Sequence, residues 1–328
     1  MFTIQPFEFS DNHYEAVVAI ENAVWPDYPE TVETFKHGDQ TRDANYLFQR
    51  LVVQAGDRMV AFGEYQETPW SYQPGKYKIY LAVQSDFERQ GIGAALYEQM
   101  MAALAKRELK PTVITSSTRE HKPQGIRFLE QRGFKQVMRA PESRLDVTLF
   151  DPAKFSAVAE RVQAQGIKIY TIPELQAIDP NWQQNLYELD WICTLDEPSP
   201  DPPTKQPLEQ YVKQFLGHPD FMAEAWFIAL DGSHYVGLTG LFRNPATREQ
   251  INSGFTGVLP DYRRRGIATA LKLRAIEFAR RYGAKTIKTG NEENNPMYKL
   301  NLDLGFKRTS AWLAYKKVIE NPDSNGEF

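Results

Sequence analysis

The chain repeats itself. The segment VQSDFERQGIGAALYEQMMAAL, starting at Val83, aligns without a gap on VLPDYRRRGIATALKLRAIEFA, starting at Val258. Each continues into a second shared stretch, FLEQRGFKQV ending at Val137 and LNLDLGFKRT ending at Thr309. Gly91 pairs with Gly266 at an offset of 175 residues, and Gly133 pairs with Gly305 at an offset of 172. A slip of three positions between the two stretches is what one loop insertion produces. The chain therefore reads as two copies of one domain of about 150 residues, and its 328 residues exceed what one core normally supports. The expected division is an N-terminal copy over 1–150, a connecting helix over 151–166 and a C-terminal copy over 167–328.

Both copies show one order of elements. LFQRLVVQAG and RMVAFGEY read as strands joined at Gly56-Asp57, with YKIYLAV as a third. Their counterparts are EAWFIAL, HYVGLTGLF and INSGFTGV, with the turn at Asp231-Gly232. Each third strand enters a glycine-containing turn and then a helix. In the second copy Leu271, Ala275, Phe278 and Ala279 recur at helical spacing and Gly283 ends the run. A short strand (TVITS; TIKTG), a helix ending in Gly-Phe and a final strand close each copy. Helices alternating with strands after an antiparallel start give an α/β or α+β domain. The connecting helix carries Phe155, Val158, Ala159 and Val162 at i, i+3, i+4 and i+7, and Gly166 terminates it. The proline-dense run DEPSPDPPTKQP must be a loop of the second copy, with WPDYPE (Trp25–Glu30) as its counterpart.

Composition narrows the function. Hydrophobic residues are 42% and charged residues 24% of the chain, a globular balance. A net charge of −4 speaks against nucleic acid, which demands a concentrated basic face. The five histidines are scattered without ligand spacing, so no metal is expected. No apolar run approaches the roughly 20 residues that span a bilayer, and the N-terminus lacks a secretory pattern, so no membrane association is expected. A single cysteine, Cys193, fits a reducing cytoplasm and reads as a structural thiol.

Chemistry points to the two glycine turns. DYRRRGIATAL sets three arginines before Gly266 where a strand turns into a helix, and FERQGIGAAL repeats the arrangement around Gly91. Free N–H groups and the dipole make a helix N-terminus attractive to anions. Glycine lets a pyrophosphate approach the main chain, and arginines add charged donors. The turn lacks the third glycine of a dinucleotide fingerprint, and nothing matches a P-loop.

With TGNEENNPMYKLNLDLGF following, this pattern resembles the GNAT superfamily of acetyl-CoA-dependent acyltransferases, over about residues 3–150 and again over 167–318. The resemblance implies two tandem domains, each a central mixed, mostly antiparallel sheet flanked by helices. It implies acetyl-CoA as co-substrate, its pyrophosphate on the glycine turn and its pantetheine arm between splayed fourth and fifth strands. Those roles fall on Val258, Arg263, Arg264, Arg265, Gly266, Ile267, Ala268 and Thr269, and in the first copy on Val83, Arg89, Gln90, Gly91, Ile92, Gly93 and Ala94. The motif's leading position is Arg263 in the second copy but Glu88 in the first, whose charge opposes a pyrophosphate. An asparagine often found eleven residues before the final Gly-Phe glycine is matched by Asn294 and replaced by Lys122 in the first copy. Asn294 either donates to the pantetheine arm or caps the helix starting near Pro296. The second copy is on these grounds expected to hold the better-formed site.

The family's tyrosine acid is missing: its position is Asn301 in the second copy and Leu129 in the first. Tyr298, one turn before Asn301, is the candidate proton donor to the leaving thiolate, against the reading of a packed tyrosine. Asn252 and Tyr77 stand where a carboxylate base sometimes lies, so no base is evident, and a water chain or Glu249 nearer the strand's start would have to deprotonate the amine. The resemblance implies an N-acetyltransferase acting by direct attack of a small-molecule amine in a ternary complex; the alternative is a non-catalytic CoA-binding regulatory protein. Asp196, Glu197 and Asp201 beside the proline-rich loop would suit a cationic amine or merely solvate the loop.

Overall fold

The computed structural model describes residues 1–319. The first half of the chain forms β1 (Phe2–Pro6), α1 (Asp11–Val24), α2 (Val32–Gln40), β2 (Phe48–Ala55), β3 (Arg58–Gln66), β4 (Lys76–Val83), α3 (Ile92–Ala105), β5 (Val113–Arg119), α4 (Pro123–Glu130) and β6 (Lys135–Asp146). The second forms α5 (Ser156–Ala164), β7 (Ile167–Thr171), α6 (Ile172–Ile178), α7 (Trp182–Thr194), α8 (Leu208–Tyr211), β8 (Phe221–Asp231), β9 (His234–Arg243), β10 (Gln250–Val258), α9 (Ile267–Tyr282), β11 (Thr286–Gly290), α10 (Pro296–Asp303) and β12 (Lys307–Val318). The proline-dense run and WPDYPE are both loops.

Two compact units divide the chain, and they are not the contiguous copies the repeat suggests. Unit 1 is Met1–Arg139 together with the segment starting at Trp312, and unit 2 is Ala140–Ala311. The closing strands are exchanged. Glu142–Asp146 of β6 pair antiparallel with Gly290–Thr286 of β11 in unit 2, while Trp312–Val318 of β12 pair with Arg119–Val113 of β5 in unit 1. The bounds of these units differ from the expected ones at 150 and 167. The repeat reveals that each copy ends in a strand, but two equivalent edges accept that strand equally well by pattern. Residues 320–328 of the expected second copy lie outside the described residues.

Within each unit the sheet is mixed and mostly antiparallel. Unit 1 runs β1-β2-β3-β4-β5-β12, with β4 and β5 as its parallel pair. Unit 2 runs β7-β8-β9-β10-β11-β6, with β10 and β11 parallel. In unit 1, Tyr14, Val17 and Ile20 of α1 pack on Val52, Phe62 and Ala82. In unit 2, Leu271, Ala275 and Ala279 of α9 pack on Phe227, Val236 and Ile251, while Leu186 and Leu189 of α7 cover Trp226, Ile228 and Leu238. Apolar residues at period two on strands and near 3.6 on helices meet on common faces, which is what drives the layers together.

The connecting helix forms as α5 but does not merely connect. Val162 is buried in the core of unit 2 and Phe155 packs against it, so α5 is part of that unit.

Candidate functional site

The two glycine turns have the same backbone. Arg89 and Arg264 adopt φ of 60° and 59°, and Gly91 and Gly266 adopt 84° and 90°. A left-handed arginine costs about 1–2 kcal/mol, so strain of this kind is concentrated where a function depends on the loop shape. The first helical bonds are Ala95 N–H to the Gly91 carbonyl and Ala270 N–H to the Gly266 carbonyl. The preceding N–H groups of each first turn therefore have no acceptor within their helix.

Ahead of each turn the parallel strands part. β4 and β5 pair only from Lys76 to Lys78, and β10 and β11 only from Gln250 to Asn252. Thr115 Oγ1 donates to the Tyr77 carbonyl at 3.4 Å, which places that carbonyl on the β5 edge. By the two-residue period the main-chain groups of Ile79, Leu81 and Val83 face the same edge, where β5 no longer reaches them.

In unit 1 the gap and the turn share one cavity of ≈ 850 Å³ that reaches Val83, Gly91, Gly93 and Ala94. A Cβ added at Gly91 would meet nothing within 4 Å, so the turn is open. Ile92 is buried and contributes only main chain, and the Gln90 amide donates to the Asp86 carbonyl. Glu88 does line the cavity, but so do Arg89, Lys122, Arg127 and Arg132, leaving the wall positively charged. The cavity thus lies at the turn that residue types alone rank second.

In unit 2 the turn is covered. A Cβ at Gly266 would meet Arg161 Nη2 at 3.1 Å, Val158 at 3.2 Å and Val162 at 3.3 Å, all on α5. Arg263 donates from Nε to the Val258 carbonyl and holds Asp196 at 2.5 Å. Asp196 is thus paired with the leading arginine of the turn at the surface. Arg265 is bound by Gln165, which also donates to the Arg265 carbonyl at 3.1 Å. Arg264 is exposed, Ile267 is buried, and Ala268 and Thr269 are half-buried on the first turn of α9.

Asn294 does not cap α10. Its side chain turns to Glu292 at 2.8 Å, and the cap is Asn295, which accepts from Met297 N–H at 2.9 Å. An asparagine pair before proline offers two candidates, and only the one directly preceding Pro296 has the capping geometry. Tyr298 is half-buried on the same helix as Asn301, as the spacing predicts. Asn301 is fully buried and donates to Asn291 at 2.6 Å, so it supports the loop before α10.

Three groups in unit 1 escape the sequence reading. Tyr80 and Trp25 line the cavity, and Glu21 stands behind them. Tyr80 donates to Glu21 at 2.6 Å and accepts from the Trp25 indole N–H at 2.6 Å. Desolvation raises the Glu21 carboxyl to about 7. The signal was legible: Tyr14, Val17, Val18 and Glu21 fall at i, i+3, i+4 and i+7, so the acid occupies an inward position of α1. Lys272 in unit 2 was missed likewise; it is buried on the apolar face of α9. Among the described residues no group of three or more His, Cys, Asp or Glu is placed to hold a metal, and no helix is long and apolar enough to cross a membrane.

Comparison with known proteins follows the same duplication. The model of the acetyltransferase (GNAT) family matches residues 14–134 and again 184–306. A solved tandem GNAT protein from the clavulanic acid biosynthesis pathway is similar over 98% of this chain and 100% of its own, at 18% identity and a TM-score of 0.75. A GCN5-related N-acetyltransferase from Sphaerobacter thermophilus is similar over 98% and 96% of the two chains, at 17% identity and a TM-score of 0.69. A glucosamine N-acetyltransferase region of a fungal β-N-acetylglucosaminidase matches 96% of this chain and 38% of that one, at 13% identity and a TM-score of 0.67. No curated protein sequence matches the chain significantly.

Proposed function

Because the chain belongs to the GNAT acetyltransferase family, we propose that it moves an acetyl group from acetyl-CoA to the amine of a small molecule, in the cytoplasm, and that unit 1 carries the reaction. The observation that supports this most is the ≈ 850 Å³ cavity joining the β4–β5 gap to the open turn at Gly91. Its volume is that of an ordinary small-ligand site. Acetyl-CoA, when bound, supplies the activated acyl group.

The residues of unit 1 fit that partner by their chemistry. Leu81 and Val83 offer main-chain N–H and C=O groups to an extended amide chain, in the manner of strand addition. The turn from Gly91 to Ala94 offers N–H groups to a pyrophosphate. Arg89, Arg127 and Arg132 supply cationic donors on the same wall. Holding donor and acceptor together is itself a large part of such catalysis. Unit 2 keeps the turn but covers it, which suits a structural partner or a weaker site.

Calorimetry with acetyl-CoA tests the reading. The intact chain should bind in the micromolar range, about −8 kcal/mol. Gly91→Asp sets a carboxylate into the open turn and should abolish that binding, while Gly266→Asp should leave it in place. Loss of binding only in the Gly266 variant would move the site to unit 2. Binding without release of thiol against a panel of amines would identify a CoA-responsive regulatory protein instead of an enzyme.

A further inference from the structure

An acyl acceptor must lose a proton before it attacks, and neither copy carries a carboxylate at the strand-four position that commonly takes it: Tyr77 and Asn252 stand there. The wall of the unit 1 cavity offers another route. We propose that Glu21, acting through the Tyr80 hydroxyl, takes the proton from the acceptor ammonium on the α1 side of β4. This rests on the reading that unit 1 transfers an acyl group from CoA.

The hydrogen-bond geometry defines the path. A tyrosine hydroxyl has one proton to give and two lone pairs to accept with. Tyr80 gives its proton to Glu21 at 2.6 Å, and one lone pair takes the Trp25 indole N–H at 2.6 Å. The remaining lone pair belongs to a residue on the cavity wall. An ammonium of the substrate can donate there. As its proton passes to the Tyr80 oxygen, the original Tyr80 proton passes to the Glu21 carboxylate, so tyrosine ends unchanged and Glu21 ends neutral. The freed nitrogen lone pair forms the N–C bond at the thioester carbonyl. The C–S bond breaks, sulfur leaves with its electron pair, and the second nitrogen proton neutralises it.

The surroundings set Glu21 for this role. Its carboxyl is raised to about 7, first by desolvation, with Glu64 of β3 and Glu30 before α2 pushing the same way and the Tyr80 hydrogen bond and Arg50 of β2 opposing. Tyr80 itself is pushed well above its ordinary 10, first by desolvation and then by the Glu21 charge, so it relays a proton and does not ionise. Lys78 lies on the same face of β4 as Tyr80 by the two-residue period, and burial lowers its pKa with Glu64 opposing; Arg50 and Lys36 are paired. Arg50 holds Asp39 of α2 at 2.8 Å and Glu64 at 2.6 Å, and Lys36 of α2 holds Asp11 at 2.5 Å. Lys122 lies 5.3 Å from the centre of the Trp25 ring. Unit 2 has the carboxylate but not the relay. Asp190 matches Glu21 in register, since Val17, Val18 and Ile20 correspond to buried Leu186, Tyr187 and Leu189. Three residues before the motif valine, however, unit 2 has Phe255 in place of Tyr80.

The test uses the full chain and an amine that the wild type acetylates. Wild-type kcat should rise with pH along a limb near 7. Glu21→Gln should remove that limb and lower kcat by about 10²-fold or more, with acetyl-CoA affinity unchanged by calorimetry. Glu21→Asp should recover part of the rate, and Tyr80→Phe should match Glu21→Gln without adding to it in the double variant. Carboxyl NMR on ¹³C-glutamate protein should show one acid titrating near 7 that disappears in Glu21→Gln. A Glu21→Gln protein with wild-type kcat and an intact limb overturns the relay while leaving the transferase reading in place. Parallel loss of acetyl-CoA affinity overturns it too, in favour of a structural role. A wild type that acetylates no amine at all overturns the underlying reading.

Discussion

Lys272 sits on the apolar face of α9 with its ammonium 3.1 Å from Ser253 Oγ, at the point where β10 leaves β11. Burial lowers its pKa to about 8. A base whose folded pKa lies below its unfolded value destabilises the fold at low pH. That penalty is fully present below about 8 and vanishes as pH rises to the unfolded value near 10.5. Its size at neutral pH is about 3 kcal/mol. Lys272→Met keeps the aliphatic stem and removes the bond that the Ser253 hydroxyl accepts, while that hydroxyl still donates to the Gly254 carbonyl; the loss costs about 1 kcal/mol. The variant should gain about 2 kcal/mol in urea unfolding at neutral pH and lose that gain above about pH 10. A less stable variant at neutral pH would show that the ammonium is better accommodated than its burial implies. Lys272 and Glu21 teach the same lesson about legibility. Each lies on an apolar helical stripe, so its inward position can be read from spacing. What it meets there cannot, because Tyr80 is 59 positions from Glu21 in the chain.

At the scale of elements, the glycine turns were the most legible feature and also the least equal. Their dihedral angles agree closely because the strand–turn–helix pattern fixes them locally. What covers them does not follow from local pattern. The amphipathic run from Phe155 to Val162 announces a helix but not its docking site, and α5 settles against Gly266. Charge at Glu88 and Arg263 therefore ranked the turns in the opposite order to their openness. Substituting alanine separates the two effects. Both Gly91→Ala and Gly266→Ala force a side chain into left-handed backbone, at about 1–2 kcal/mol. Only the second also drives a methyl into Val158 and Val162, adding about 1 kcal/mol. Gly266→Ala should thus lower stability more and loosen the amides of α5 in hydrogen exchange. Equal effects would mean that α5 yields freely.

The whole molecule departs from its sequence in one respect, the exchange of closing strands. Pattern gives the strand and its polarity but not which of two equivalent edges receives it, since β5 and β11 present the same kind of edge. A chain ending at Ala311 should keep unit 2 intact yet expose the β5 edge. Hydrogen exchange at Val113–Arg119 should then accelerate sharply, and unchanged protection there would show that unit 1 closes without β12. The exchange also reverses the usual order in which a growing chain matures on the ribosome. Unit 1 is begun first but needs the strand beginning at Trp312, which is made only after residues 140–311 of unit 2. At about 5–20 residues per second, that is a wait of roughly 9–35 s. The second unit has all its strands first, and through that interval the first must guard an open sheet edge.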